Sequence, residues 1–278
     1  DTVPVEVEFT ANRDVSDEIT KYLGSKGRLD YDGRPIFGIS SPQLVEDMKK
    51  ISEDIEIIPA HCMTPWFGLF GSDSGFDSLK ECFGDQLSKI HAIESGMSAD
   101  PSMLWRLNEK ASILSFSDSH SFWPWRLGRE ATIFNLRENE NISYDMIINQ
   151  IREKSFIGTI ETDPSYGMYH LDGHRNCNFS CSFKETKKLN GICPVCGKGL
   201  TLGVEYRVNE LAKLCQANHS KKKCYYKLLP LHEIISLGLG VGINSKGCWK
   251  IYNQLIDKFA NEYNILLSIS KDELVYPL

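Results

Sequence analysis

The first 165 residues alternate short apolar runs with stretches whose apolar positions recur at helical spacing. The runs "IEIIPAH", "IHAIE", "SILSFSD", "EATIFNL" and "FIGTIE" predict strands. Between them, "SSPQLVEDMKKIS" predicts a helix capped by Ser41, with Pro42 in its first turn and Leu44, Val45, Met48 and Ile51 on one face. "FDSLKECFGDQLSKI" reads as partly helical, "DPSMLWRLNEKA" as a helix with Asp100 as cap and Pro101 just inside, and "SYDMIINQIREKS" as a helix capped at Ser143. Strand and helix in alternation predict an α/β fold built from parallel βα units.

Ligand-type residues fall where these strands stop. His61 follows the first run, Glu94 ends the second, and Asp118 with His120 ends the third. In parallel barrels that end of the strands is where the loops converge on an active site. Residues i and i+2 leaving a strand point the same way, so Asp118 and His120 are spaced to reach one ion or two adjacent ions. Carboxylate oxygen with imidazole nitrogen suits zinc, manganese or iron in a hydrolytic centre.

The pattern changes after residue 170. His174 and Cys177 form H-x2-C; after fifteen intervening residues, Cys193 and Cys196 form C-x2-C inside "CPVCG". Two close pairs of this kind suit tetrahedral zinc, and so small a segment has little core without an ion. Cys181 competes for the fourth position, with His170 a weaker candidate. Lys221, Lys222 and Lys223 precede Cys224, Tyr225 and Tyr226. Basic residues interleaved with aromatics hold nucleic acid in some proteins and are a solvated surface in others. Beyond Leu228 two helices are expected, with Trp249, Tyr252, Leu255, Ile256 and Phe259 in their core. Gly238, Gly240 and Gly242 follow no strand, so no nucleotide cofactor is expected. The divisions expected are 1–165, 166–215 and 216–278.

Composition and charge refine this picture. Apolar residues make up 41% and charged residues 24% of the 278, which excludes a disordered chain. No apolar stretch reaches the roughly 18 residues of a membrane span, so no membrane partner is expected. Residues 1–169 hold 16 Lys and Arg against 28 Asp and Glu, a net −12; residues 170–278 hold 15 against 9, a net +6. An acidic body joined to a basic C-terminal part points to a polyanion as partner of the second, or to a basic surface that is merely solvated. Seven of the nine cysteines fall after residue 176, and no signal segment opens the chain. Clustered cysteines in a reducing compartment favour metal over disulfides, and a cytoplasmic location is expected.

The blocks "PAHCMTPWFGLFGSDSGFDSLKECFG", "AIESGMSADPSMLWRL", "SFSDSHSFWPWRLGREATIF" and "YHLDGHRNCNFS…CPVCGKGLTLGV…RVNELA" resemble endonuclease Q. These enzymes are DNA-repair members of the polymerase-and-histidinol-phosphatase (PHP) metallophosphoesterases. The similarity runs from about Gly33 to the C-terminus. The resemblance implies a PHP-type (β/α) barrel, then a zinc-binding module and a helical region. It also implies two or three divalent ions (zinc, manganese or magnesium) beside the structural zinc. Incision beside uracil, hypoxanthine or abasic sites is the implied activity. By position, His61, Glu94, Asp118 and His120 match the family's later metal motifs, and His174, Cys177, Cys193 and Cys196 its zinc module. The family opens its barrel with an H-x-H-type motif, whereas no histidine precedes His61 here. Only a carboxylate such as Glu6 or Glu8 stands in that region. The barrel is therefore expected to be partial, holding the later strands only, in a chain that opens on Asp1 rather than Met.

The reading that results is a metal-dependent DNA endonuclease. Asp118, His120 and Arg129 are its catalytic candidates, Arg129 either clamping a phosphate oxygen or forming a structural ion pair. Arg175, Lys198, Lys221, Lys222 and Lys223 are DNA-binding candidates. Phe67, Phe70, Trp123 and Trp125 either line a lesion pocket or pack the core and loops. Damaged DNA and a helicase or other repair protein are the partners expected. Two alternatives are a catalytically degenerate nucleic-acid-binding zinc protein and a PHP phosphatase acting on a small phosphomonoester.

Overall fold

Strand β1 (Val5–Phe9) runs antiparallel to β2 (Glu56–Pro59), joined by helices α1 (Arg13–Lys26) and α2 (Ser41–Ile51). In this computed structural model, residues 5–9, 12–30, 36–73, 75–121, 123–137, 141–213 and 223–274 are described. Lys221, Lys222 and the side chains of Glu6, Glu8 and Trp125 lie outside the described part. Helix α2 is capped one residue earlier than its sequence suggests. The cap is Ser40, in extended conformation, whose hydroxyl accepts from the Gln43 N–H. Ser41 is already helical, because Pro42 tolerates only the first turn.

Helix α3 (Leu79–Phe83) and a 3-10 turn over Gly84–Lys89 lead into β3 (Ala92–Glu94). Helix α4 (Pro101–Leu104) then precedes β4 (Ser112–Leu114), which pairs parallel with β3. Asp100 caps α4 through the Met103 N–H. Helix α5 (Pro124–Leu127), β5 (Ala131–Ile133), α6 (Tyr144–Arg152, capped by Ser143) and β6 (Gly158–Glu161) follow.

The strands are not all parallel. β5 runs antiparallel to β6, as β1 does to β2. The segment joining β5 to β6 contains α6 and is long enough for a crossover, so strand direction here does not follow from connection length. Strands β2 and β3 are tied by the Cys62 N–H to the Glu94 carbonyl (3.1 Å). Strands β4 and β5 are tied through Ser115 and the Thr132 hydroxyl (3.0 Å each way).

Successive residues of a strand face opposite ways, and here both faces are apolar. Ile57 and Ile93 join Val45, Met48, Leu79 and Phe83 on one side. Ile58, Ala92 and Leu114 join Ile148, Ile151 and Phe156 on the other.

Strands β7 (Asp172–His174) and β8 (Phe179–Cys181), with α7 (Phe183–Lys188), form a small unit whose buried apolar residues are Cys181, Cys193 and Leu200. Helix α8 (Val204–Leu211) returns to the main body, burying Val204, Val208 and Leu211 in the first core. The chain after residue 216 is not purely helical. β9 (Cys224–Lys227) pairs parallel with β6, Tyr225 beside Thr159 and Tyr226 beside Ile160. Helices α9 (Leu231–Leu239), α10 (Lys246–Phe259), α11 (Glu262–Leu267) and α12 (Lys271–Leu274) follow among the described residues. Tyr252 and Leu255 are buried in their core, with Trp249, Ile256 and Phe259 packed against it. Among the described residues, no helix is long and apolar enough to cross a membrane.

Candidate metal centres and their surroundings

His61 leaves β2 with φ of 28°, a left-handed backbone that a non-glycine residue adopts at a cost. Its N–H donates to Glu94 Oε2 at 2.7 Å, and its ring Nδ1 lies 3.2 Å from the Thr64 hydroxyl. Gly96 makes this approach feasible, since a Cβ there would sit 2.7 Å from His61 Cβ. The loop after His61 folds back tightly, and a Cβ on Gly68 would lie 2.4 Å from the Thr64 carbonyl. Arg207 of α8 holds that loop by donating to the Phe70 and Phe76 carbonyls (3.0 and 3.2 Å). Phe70 is buried, which assigns it to the core, whereas Phe67 has φ of 63° and is 51% exposed.

Asp118 repeats the first feature of His61, with φ of 39°. Its Oδ1 lies 3.2 Å from His120 Nε2, and both side chains are open to solvent. Strain of this kind concentrates at functional sites, where the surrounding structure enforces it. Part of the enforcement is Arg129. Its guanidinium donates to the Ser117 carbonyl (3.1 and 2.8 Å) and the Asp118 carbonyl (3.5 Å). Arg129 therefore has backbone partners in place of a carboxylate. The structure brings the His61 backbone to the Glu94 carboxylate and the Asp118 carboxylate to the His120 ring, without gathering the four side chains into one cluster.

Two further carboxylates lie beneath these pairs. Glu161 is fully buried at the end of β6 and accepts from the Thr159 hydroxyl (2.5 Å) and the Ser95 hydroxyl (2.9 Å). Burial pushes its carboxyl up to about 8 against the pull of those hydrogen bonds. Burial and then the Glu161 charge push Glu130 up to about 9. Glu130 Oε1 accepts the Thr162 N–H at 3.2 Å, while its Oε2 has no partner. Sequence reasoning passed over both. Yet "GTIE" ends an apolar run in a carboxylate just as "AIE" does at Glu94.

In the small unit, His174, Cys177, Cys193 and Cys196 bring four ligand atoms within 4.8 Å of one another. His174 Nδ1 lies 3.0 Å from Cys177 Sγ and 3.3 Å from Cys196 Sγ. A tetrahedral ion with bonds of about 2.0–2.3 Å accommodates donors so close together. Crowding supports the fit: the neighbouring Cys196 sulfur, ahead of burial, pushes the Cys177 thiol up to about 11. A dication would relieve that crowding of sulfurs. Cys181 points elsewhere, toward the Thr186 hydroxyl at 3.3 Å, and His170 lies outside the cluster. Among the described residues this is the one group of three or more His, Cys, Asp or Glu so assembled.

The basic candidates divide. Arg175 and Lys198 are exposed on the small unit. Lys223 turns inward: its ammonium donates to the Phe156 carbonyl (2.7 Å) and lies 5.2 Å from the centre of that ring. Lys227 bridges Asp100 and Asp163 at 2.7 and 3.0 Å.

Comparison with known proteins adds to this geometry. The lesion-specific endonuclease PfuEndoQ from Pyrococcus furiosus superposes with a TM-score of 0.83 at 29% identity, over 96% of this chain and 66% of that one. The chain is similar to endonuclease Q. A second endonuclease Q structure, a complex with a 27-mer duplex bearing an abasic lesion at the active site, gives 0.81 at 29% identity, over 93% and 64%. Residues 230–276 match a family model described as the MJ0043 C-terminal domain. The uncharacterized protein MJ0043 of Methanocaldococcus jannaschii is 36% identical over 222 residues, which is 77% of this chain and 27% of that protein. The chain thus spans about two thirds of the endonuclease Q structures and about a quarter of the curated relative.

Proposed function

We propose that this chain is the metal-binding, DNA-contacting part of a DNA-repair endonuclease. Its strand layer is read as the later part of a PHP-type barrel. One observation carries the proposal: in an endonuclease Q-like fold, His61 and Asp118 both follow strands in left-handed backbone, the His61 N–H bound to the Glu94 carboxylate and the Asp118 carboxylate beside the His120 ring. Imidazole and carboxylate donors suit divalent zinc, manganese or magnesium. His61, Glu94, Asp118 and His120 would hold the ion, which would lower the pKa of a bound water and neutralise phosphate charge. The chain's residues do the rest. Arg129 fixes the carbonyls beside Asp118, and the His174 unit carries Arg175 and Lys198 toward the DNA backbone. The substrates proposed are duplexes with abasic sites, uracil or hypoxanthine.

A second reading, a nucleic-acid-binding zinc protein without catalysis, is favoured by only Asp118 and His120 bringing donor atoms together after the strands. Incubation with an abasic-site duplex in Mn²⁺ distinguishes the readings. The endonuclease reading expects a nick beside the lesion that EDTA abolishes and an intact duplex does not show. Binding of the duplex without any metal-dependent nick favours the second.

A further inference from the structure

The C-terminal helical unit touches the loop that carries Asp118 and His120 at two places. Trp123 stacks on Trp249 of α10, ring centres 5.6 Å apart and planes 29° from parallel. On the other side of α5, the Tyr263 hydroxyl of α11 donates to the Gly128 carbonyl. The fit there is close, since a Cβ on Gly128 would lie 3.0 Å from the Tyr263 oxygen. The supporting helices are themselves locked. Glu262 accepts from the Leu231 N–H (2.6 Å) and the Tyr252 hydroxyl (3.0 Å), and Tyr252 meets Trp249 edge to face at 5.2 Å.

Trp123 and Leu127 are 39% and 59% exposed, so they contribute little to either main core. Local hydrogen bonds such as Arg126 N–H to the Trp123 carbonyl (2.9 Å) close one turn and anchor nothing beyond it. From Gly128 the constraint passes to Arg129, whose guanidinium grips the carbonyls of Ser117 and Asp118. Helical unit, loop and Asp118 form one contiguous set of contacts.

We infer that Trp249 and Tyr263 are positioning residues: the C-terminal unit is a brace that orders the Ser117–Arg129 loop and fixes where Asp118 and His120 stand. The metal consequence rests on the function proposed above, whereas the ordering of the loop does not. Stacked aromatic pairs and single hydrogen bonds are each modest, so the loop should be loosened without unfolding the chain.

The test uses the full chain and two variants, one on each side of the contact. Tyr263→Phe removes only the hydroxyl, and Trp123→Ala removes the stacking partner while leaving the packing of α10 intact. Hydrogen exchange by mass spectrometry should show the amides of 117–129 exchanging about fivefold faster in each variant. Exchange in 231–267 and zinc content should not change. Mn²⁺ affinity, read by electron paramagnetic resonance, should fall several-fold. Unchanged exchange in both variants overturns the brace. Faster exchange with unchanged Mn²⁺ affinity overturns the positioning role. A parent chain that binds no Mn²⁺ refutes the proposed function and with it the positioning role, while the exchange data still decide the brace.

Discussion

The two candidate metal centres differ in how they are built. In the small unit, four donors drawn from 23 residues (His174 to Cys196) converge before any ion is considered. After the strands, the donors span 60 residues (His61 to His120) and follow three strands, and only Asp118 and His120 meet through donor atoms. The first centre substitutes for a hydrophobic core, because the unit buries little beyond Cys181, Cys193 and Leu200. The second sits on a framework already stabilised by two apolar cores, so His61 and Asp118 are free to be strained, and Asp118 and His120 exposed. Structural centres are local and closed, and catalytic ones are spread over a rigid scaffold and left open.

The largest effect expected from that contrast is at Cys193. Cys193→Ser should remove one zinc equivalent and unfold 170–200, since zinc contributes on the order of 10 kcal/mol to comparable small units. Elemental analysis and hydrogen exchange check this, and retained zinc would point to Cys181 or His170 as replacement ligands. Next comes Asp118→Asn. Loss of a ligand's supporting partner alone costs roughly 10–100-fold, so loss of the ligand itself should cut incision at least a hundredfold. Melting temperature should hardly change, because 42% of the Asp118 side chain is exposed.

A smaller effect is expected from the buried pair beneath the site. Glu130 and Glu161, raised from 4.5 to about 9 and about 8, keep their protons when folded at pH values where the unfolded chain has lost them. The stability this gives is complete below about pH 4.5 and is lost as pH rises through 8 to 9. Chemical denaturation with chelator present should therefore show falling stability from pH 5 to pH 9, by the sign of the raised pKa. Glu130→Gln should flatten the curve and raise stability at pH 8, because glutamine need not take up a proton on folding. A curve rising with pH in the parent would contradict the assignment. The smallest effect belongs to the exposed cations. Arg175→Ala with Lys198→Ala should weaken duplex binding less than about tenfold and reduce the salt slope by roughly two.

How much of this was legible in the sequence follows the same division. The Cys and His spacing of the small unit is local, and it brings together the four donors that the spacing nominated. Strand positions and the caps at Asp100 and Ser143 were also legible, because periodicity and capping chemistry act over a few residues. Strand direction was not, since "EATIFNL" reads alike in a parallel or an antiparallel ladder. Strand β9 was hidden behind the lysines that precede it, and its partner β6 lies more than sixty residues earlier. Glu130 shows why the lower layer escaped notice. Its significance comes from Glu161 and Thr162, which the fold brings beside it.

The most direct test of two distinct centres is a metal count on three proteins after dialysis against a mild chelator and titration with Mn²⁺. The parent should retain one zinc and bind Mn²⁺ in addition. Asp118→Asn should keep the zinc and lose the Mn²⁺, while Cys193→Ser should lose the zinc and keep strand-end Mn²⁺ binding. Mn²⁺ binding that survives in Asp118→Asn, or that disappears together with zinc in Cys193→Ser, would contradict the account.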